Sequence, residues 1–170
     1  MCYSGLRIRD AVTLERSRIQ GEKLFLYTAK TGTPVWCPLP PLVVQALEAI
    51  PWNGRHFFWT GESKPKSAVG DWQRSLRKLF RLAGVPDGHA HRFRDTFAVE
   101  LLRRGVPIER LSMLLGHKSV SVTEKHYAPW IHARQQQLEA DVRRSWDTDL
   151  LALADTKGTP EVHGKRQAVN

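Results

Sequence analysis

Pro40-Pro41 splits this chain into two periodicities, and few folds accommodate both. Ahead of the pair, residues 18–20, 23–28 and 34–39 are short β-like runs, separated by Gly21-Glu22 and by Lys30-Thr31-Gly32-Thr33. That spacing predicts a three-stranded antiparallel sheet with tight turns. A short helix over 5–15, with Leu6, Ile8, Ala11, Val12 and Leu14 as its apolar members, is predicted to precede the sheet. Behind the pair the pattern turns helical. One helix is expected over 42–50, stopped by Pro51, and after a brief apolar run at 56–59 another over 67–83, closed by Gly84. A third, over 90–104, points Phe93, Phe97, Leu101 and Leu102 inward. Residues 107–115 form a short helix begun by proline and ended at Gly116. The capping-box spacing Ser121-Val122-Thr123-Glu124 opens another through Tyr127, and a last amphipathic helix covers 129–146. The class is α+β, mainly helical, with a small antiparallel sheet packed against the helices.

At 170 residues and 41% hydrophobic, the chain suits one domain with one sizeable core. Lys and Arg number 26 against 17 Asp and Glu, a net charge of +9, so a polyanion is the expected partner. No run of 18 apolar residues occurs, and Met1-Cys2-Tyr3-Ser4-Gly5 does not read as a signal sequence. A cytoplasmic protein without a membrane partner is expected. Cys2 and Cys37 provide neither a disulfide framework nor zinc-finger spacing. Beyond residue 150 the chain turns polar and aperiodic, which predicts a tail, 151–170, without structure of its own.

The chemistry-bearing residues concentrate in His91-Arg92-Phe93-Arg94-Asp95-Thr96-Phe97-Ala98, where His91 and Arg94 share one helical face. Leu114-Leu115-Gly116-His117-Lys118 follows about twenty residues on, and Tyr127 ten residues after the histidine. With His91-x-x-Arg94, Leu115-Gly116-His117 and Tyr127 in this order, residues 3–146 resemble the catalytic domain of the tyrosine recombinase (phage integrase) family. Two upstream segments join the match: Gly5-Leu6-Arg7-Ile8, with Asp10 three residues after the arginine, and Lys30-Thr31-Gly32 in a β-hairpin turn.

The resemblance implies a DNA breaking and rejoining fold over 1–150. It also implies a reaction in which a tyrosine hydroxyl attacks a DNA phosphodiester, leaving a 3′-phosphotyrosine and a free 5′-hydroxyl. The bond energy is kept in the phosphotyrosine, so rejoining needs neither ATP nor any cofactor. Arg7 and Arg94 would hold the non-bridging oxygens, their planar forks supplying charge that many nucleases draw from a metal. Tyr127 would be the nucleophile. With an ordinary pKa of ~10, only about one phenol in a thousand is ionised at neutral pH, so it needs a base or a positive field. His91 would accept its proton, His117 would hydrogen-bond the phosphate, and Lys30 would protonate the leaving 5′-oxygen. Asp10, one turn beyond Arg7, is expected to hold that side chain in place. Asp95 stands where the family most often has histidine, a neighbour that is not a catalytic position.

Between Lys66 and Arg110 ten basic residues face five acidic ones. Arg74, Arg77, Lys78, Arg81 and Arg92 are therefore the candidates for contact with the phosphates of double-stranded DNA. The family's last helix commonly docks on a neighbouring subunit, so a homo-oligomer on DNA is expected through residues 129–146. The family's N-terminal core-binding domain and the helices ahead of its first arginine are absent, from which weak unaided DNA affinity is expected. A zinc site on His89-x-His91 with His117 lacks a carboxylate or cysteine at a supporting spacing, so no metal is expected. Three rivals remain. One is a non-catalytic helix-turn-helix regulator built on 107–127, and another is an inactive recombinase remnant. The third is a type IB topoisomerase-like enzyme, whose spacing around the histidine differs.

Overall fold

Alternation in the two longest β-like runs decides the sheet. In a computed structural model, which describes residues 1–51 and 54–147, β1 (Ile19–Gln20), β2 (Lys23–Tyr27) and β3 (Pro34–Pro38) form an antiparallel sheet in that order. The register pairs Leu24 with Cys37 and Leu26 with Val35, and all four side chains are buried. Phe25 and Trp36, opposite each other on the other face, stack with ring centroids 3.9 Å apart. A register slip of one residue would turn the buried set to solvent, so the apolar alternation fixes the pairing.

The front helix is shorter than expected. α1 spans Ile8–Val12, because Gly5 takes a φ of 60° and Arg7 is extended. A 3-10 turn, Arg16–Arg18, leads into the sheet. The run at 56–59 supplies an isolated bridge, His56 to Glu15, and the Phe57 N–H donates to the Leu14 carbonyl at 3.1 Å. Next come α2 (Pro41–Glu48), α3 (Pro65–Leu82), α4 (Ala90–Arg103) and α5 (Ile108–Leu114), each within two residues of its expected start and end. α3 packs on α1 and α4, while α5 joins α4 to β3.

The C-terminal part departs from expectation. The two helices expected at 121–127 and 129–146 are one, α6 (Val120–Asp147), with Pro129 inside it. Proline removes one backbone hydrogen bond from a helix interior but need not end it when packing holds both sides. Tyr127, one turn below Ile131 on the same face, is buried, and Ile131 packs on the same apolar cluster.

The chain divides into two units, Met1–Ile131 and His132–Asn170. The first holds two apolar clusters. One joins sheet and front helices through Leu6, Leu14, Leu24, Leu26, Cys37, Leu39, Val44 and Phe57. The other comprises Ala98, Leu102, Leu111, Leu115 and Tyr127. In the second unit, 132–147 is helical, with Leu138, Val142 and Trp146 exposed. The expected tail at 151–170 lies outside the described residues. No described helix is long and apolar enough to cross a membrane.

Candidate active site

α4 turns an arginine into its own core. The residues it buries are Ala90, Arg94, Ala98 and Leu102, one per turn, so Arg94 occupies the line normally kept for apolar side chains. Phe93, Phe97 and Leu101 are only half-buried, so of the four residues expected inward only Leu102 is fully so. Arg94 is 2% exposed. Its Nη1 donates to the Gly5 carbonyl at 2.5 Å, and its Nη2 to the Leu115 carbonyl at 2.7 Å and to His117 Nε2 at 2.9 Å. One guanidinium thus gathers three separate stretches of sequence. Burial, then the neighbouring Arg7 charge, brings it down to about 10, and it stays cationic at neutral pH.

The two loops that receive Arg94 need glycine. Gly5 and Gly116 both sit at a φ of 60°. A Cβ on Gly5 would lie 2.6 Å from the Phe97 ring, and one on Gly116 would meet Thr28 and Val35 at 2.7 and 2.8 Å. Conformation and space together penalise a side chain at either position.

His117 accepts from Arg94 at Nε2, so its ring proton is on Nδ1, which donates to Thr123 Oγ1 at 2.7 Å. Burial, followed by the charges of Arg94 and Arg7, pulls His117 down to about 4 and keeps it neutral. Thr123 is fully buried, one helical turn before Tyr127.

Tyr127 is 1% exposed and donates to Asp95 Oδ1 at 3.1 Å. Burial first, and then the Asp95 charge, raise its pKa well above the ordinary phenol value; Arg94 and Arg7 oppose the shift. The same Asp95 oxygen faces His91 Nε2 at 3.6 Å and His126 Nε2 at 3.8 Å. Burial lowers the His91 pKa, and Asp95 partly offsets it.

Arg7 Nη1 is buried without a hydrogen-bond partner, a costly state for a charged donor. Arg7, Arg9, Lys30, Gln73, Arg77 and His91 line one cleft of about 500 Å³. Lys30 is exposed at the tip of the β2–β3 hairpin, and the turn beneath it is anchored twice. Thr31 Oγ1 donates to the Gly116 carbonyl at 2.9 Å, and the Ala29 N–H donates to Asp10 Oδ1 at 2.7 Å. Asp10 therefore holds the hairpin. Among the described residues it forms no ion pair with Arg7, because its buried carboxylate is turned to the backbone of the turn.

Of the basic residues expected on the DNA face, Arg77 lines the cleft, and with Arg81 it also lines a second hollow of about 450 Å³ beside residues 84–88. Arg74 and Lys78 are exposed, Arg74 paired with Asp71, and neither lines the cleft. Arg92 is exposed and likewise outside it. Thr123 escaped the reading of the sequence as a site residue, and Asp95, set aside there as a neighbour outside the catalytic set, is the residue that accepts from the Tyr127 hydroxyl. Each stands one helical turn from a residue that was singled out, Asp95 four after His91 and Thr123 four before Tyr127, which is the signal that identifies them.

Comparison with known proteins gives a consistent result. The model of the phage integrase family matches residues 1–134. Tyrosine recombinase XerC of Rickettsia prowazekii is 32% identical over 130 residues, covering 72% of this chain and 43% of that protein. XerC of Rickettsia canadensis is 31% identical over the same length. The chain spans under half the length of these curated relatives. Among solved structures, XerA recombinase superposes with a TM-score of 0.64 at 20% identity, over 84% of this chain and 55% of that one. The catalytic domain of bacteriophage HP1 integrase gives 0.59 at 22% identity, over 84% and 76%. A lambda integrase dimer bound to a COC′ core site gives 0.58 at 20% identity, over 73% and 48%. At such identities these three structures establish the fold: mainly helical, with a small three-stranded antiparallel sheet.

Proposed function

Since this chain belongs to the phage integrase family, we propose that it breaks and rejoins DNA strands through Tyr127 as a site-specific recombinase catalytic domain. The observation that carries the proposal is the buried, unpartnered Arg7 Nη1 at a cleft shared with Lys30 and His91. Such a group is satisfied by an anionic oxygen. Arg94, whose pKa the Arg7 charge helps to lower, supplies the second guanidinium.

In the proposed reaction the scissile phosphate enters the cleft, and Arg7 and Arg94 hold its non-bridging oxygens while His117 leaves Arg94 and, with its ring proton moved from Nδ1 to Nε2, donates to the phosphate. The Tyr127 oxygen attacks phosphorus in line, forming the 3′-phosphotyrosine as the bond to the 5′-oxygen breaks. The phenol proton passes to Asp95 Oδ1, its hydrogen-bond partner, and onward to His91 Nε2, which faces the same oxygen. Lys30 gives a proton to the departing 5′-oxygen, its turn held in place by Asp10 and Thr31. Rejoining runs the same steps backwards. Arg77 and Arg81 extend the basic surface along the flanking duplex, and the partner is double-stranded DNA in the bacterial cytoplasm, bound by an oligomer of this chain. A helix-turn-helix regulator built on α5 and α6 would leave the buried Arg94 and Tyr127 without a purpose.

A nicked suicide substrate, which loses its leaving strand after one cleavage, tests the reading on a denaturing gel. The wild-type chain is expected to form a covalent protein–DNA adduct, and Tyr127→Phe none. If wild type and variant both bind DNA and neither forms the adduct, the strand-cleavage reading is wrong.

A further inference from the structure

Two imidazole nitrogens and the phenol converge on one carboxylate oxygen. His91 Nε2 lies 3.6 Å from Asp95 Oδ1, His126 Nε2 lies 3.8 Å from it, and the Tyr127 hydroxyl 3.1 Å. The two imidazoles come from different helices, α4 and α6, and meet edge-to-face with ring centroids 5.8 Å apart. Both aim their outer nitrogens at Asp95 from just beyond hydrogen-bonding range. The nitrogens and the carboxylate oxygen all lie within 4.8 Å of one another. His91 and His126 are about half exposed, so the group opens to solvent.

We infer that His91, Asp95 and His126 form a binding site for one zinc ion, with the Tyr127 oxygen next to the fourth position of its shell. A tetrahedral zinc centre with bonds of about 2.0–2.2 Å sets neighbouring ligand atoms roughly 3.3–3.6 Å apart. The observed separations of 3.6 and 3.8 Å need to close by only a few tenths of an ångström. Two imidazoles and one carboxylate suit zinc and its borderline neighbours, whereas magnesium and calcium demand oxygen ligands. The set differs from His89-x-His91 with His117: His89 turns Nδ1 to the Asp87 carbonyl, and His117 is committed to Arg94 and Thr123. A bound ion takes the lone pairs of the carboxylate that now receives the phenol hydrogen bond, and it engages both Asp95 and His91. Zinc is therefore a reversible inhibitor of strand cleavage. That consequence rests on the function proposed above; the binding itself does not.

Two measurements test the site on the full chain. Competition between the protein and a chromophoric zinc chelator is expected to show one saturable zinc site per chain, weakened at least tenfold in Asp95→Asn and in His126→Gln. The exposed His126 serves as the second variant because its replacement does not disturb the core. In the suicide-substrate assay, zinc is expected to suppress the wild-type adduct, a chelator to restore it, and His126→Gln to form the adduct with its zinc sensitivity lost. The absence of a saturable site, or equal affinity in wild type and both variants, overturns the zinc site. An adduct that zinc leaves unchanged under saturating conditions overturns its inhibitory role. If no adduct forms at any zinc concentration while the titration gives the expected result, the cleavage reading fails and the metal site stands.

Discussion

Around the sheet, Leu6, Leu14, Leu24, Leu26, Cys37, Leu39, Val44 and Phe57 close on one another, and the one titratable member stays neutral because burial pushes the Cys37 thiol up to about 11. Across α4, α5 and α6 the second cluster packs Ala98, Leu102, Leu111 and Leu115 around Tyr127, with the buried Arg94 and Thr123 at its border. Apolar side chains would fill that second space at lower cost, since each buried polar group forfeits its hydration and must find partners. The first cluster is built for stability. The second gives up part of its stability to keep a phenol and a guanidinium in fixed positions, and substitutions in the two should have opposite signatures.

The largest effect is expected from Arg94→Lys. Lysine keeps the charge but cannot serve Gly5, Leu115 and His117 together, so the rate of adduct formation on the suicide substrate should fall about 10²–10³-fold. A rate within threefold of wild type would erase the functional side of the contrast. Leu24→Ala, in the sheet cluster, should cost roughly 2–5 kcal/mol in urea unfolding while the cleavage rate per folded molecule stays near wild type. A large loss of rate in the folded variant would show that the two clusters are not separable.

Gly116→Ala sharpens the comparison, because this residue touches both regions. Its positive φ and the closeness of Thr28 and Val35 predict a loss of about 1–3 kcal/mol, read by thermal melting, together with slower cleavage as the Lys30 turn shifts. An unchanged melting temperature would count against the packing described here.

The smallest effect concerns pH. His117 binds its proton near pH 6.5 when unfolded but only near pH 4 when folded. The unfolded chain then holds more protons across that window, so the contribution is intact above pH 6.5 and is lost as pH falls toward 4. For a ring this exposed the loss is about 1 kcal/mol after solvent screening. The fall in melting temperature between pH 6.5 and 4 should be shallower in His117→Gln, and parallel curves would remove His117 from the account.

Much of the fold is legible before any coordinates. Gly21 and Gly32 at the turns and the alternation through Leu24, Leu26, Val35 and Cys37 determine the sheet, and Gly84, Pro107 and Gly116 punctuate the helices. The failures have physical causes. Reading α4 by hydropathy sends Phe93, Phe97 and Leu101 inward with Leu102, whereas the line it buries is Ala90, Arg94, Ala98 and Leu102, where small residues make room for the guanidinium. Pro129 suggested a break, but burial of Tyr127 on one side and packing of Ile131 on the other carry the helix through. Asp10 was assigned to Arg7 from local spacing, whereas its partner, Ala29, is nineteen residues away. Contacts of that range leave no mark in a single sequence. The order of Arg7, Lys30, His91, Arg94, His117 and Tyr127 was legible because family resemblance carries it, while the partners of Asp95 and Thr123 show only in the fold, Asp95 reaching Tyr127 on α6 and Thr123 reaching back to His117 in the loop ahead of that helix.

The clasp made by Arg94 has a consequence for the order in which the molecule is assembled. Its two carbonyl partners lie 89 and 21 residues away along the chain, so the guanidinium is fixed only after front loop, α4 and the loop past α5 have all come together. A half-folded molecule therefore lacks the clasp, whatever helix α4 has formed on its own.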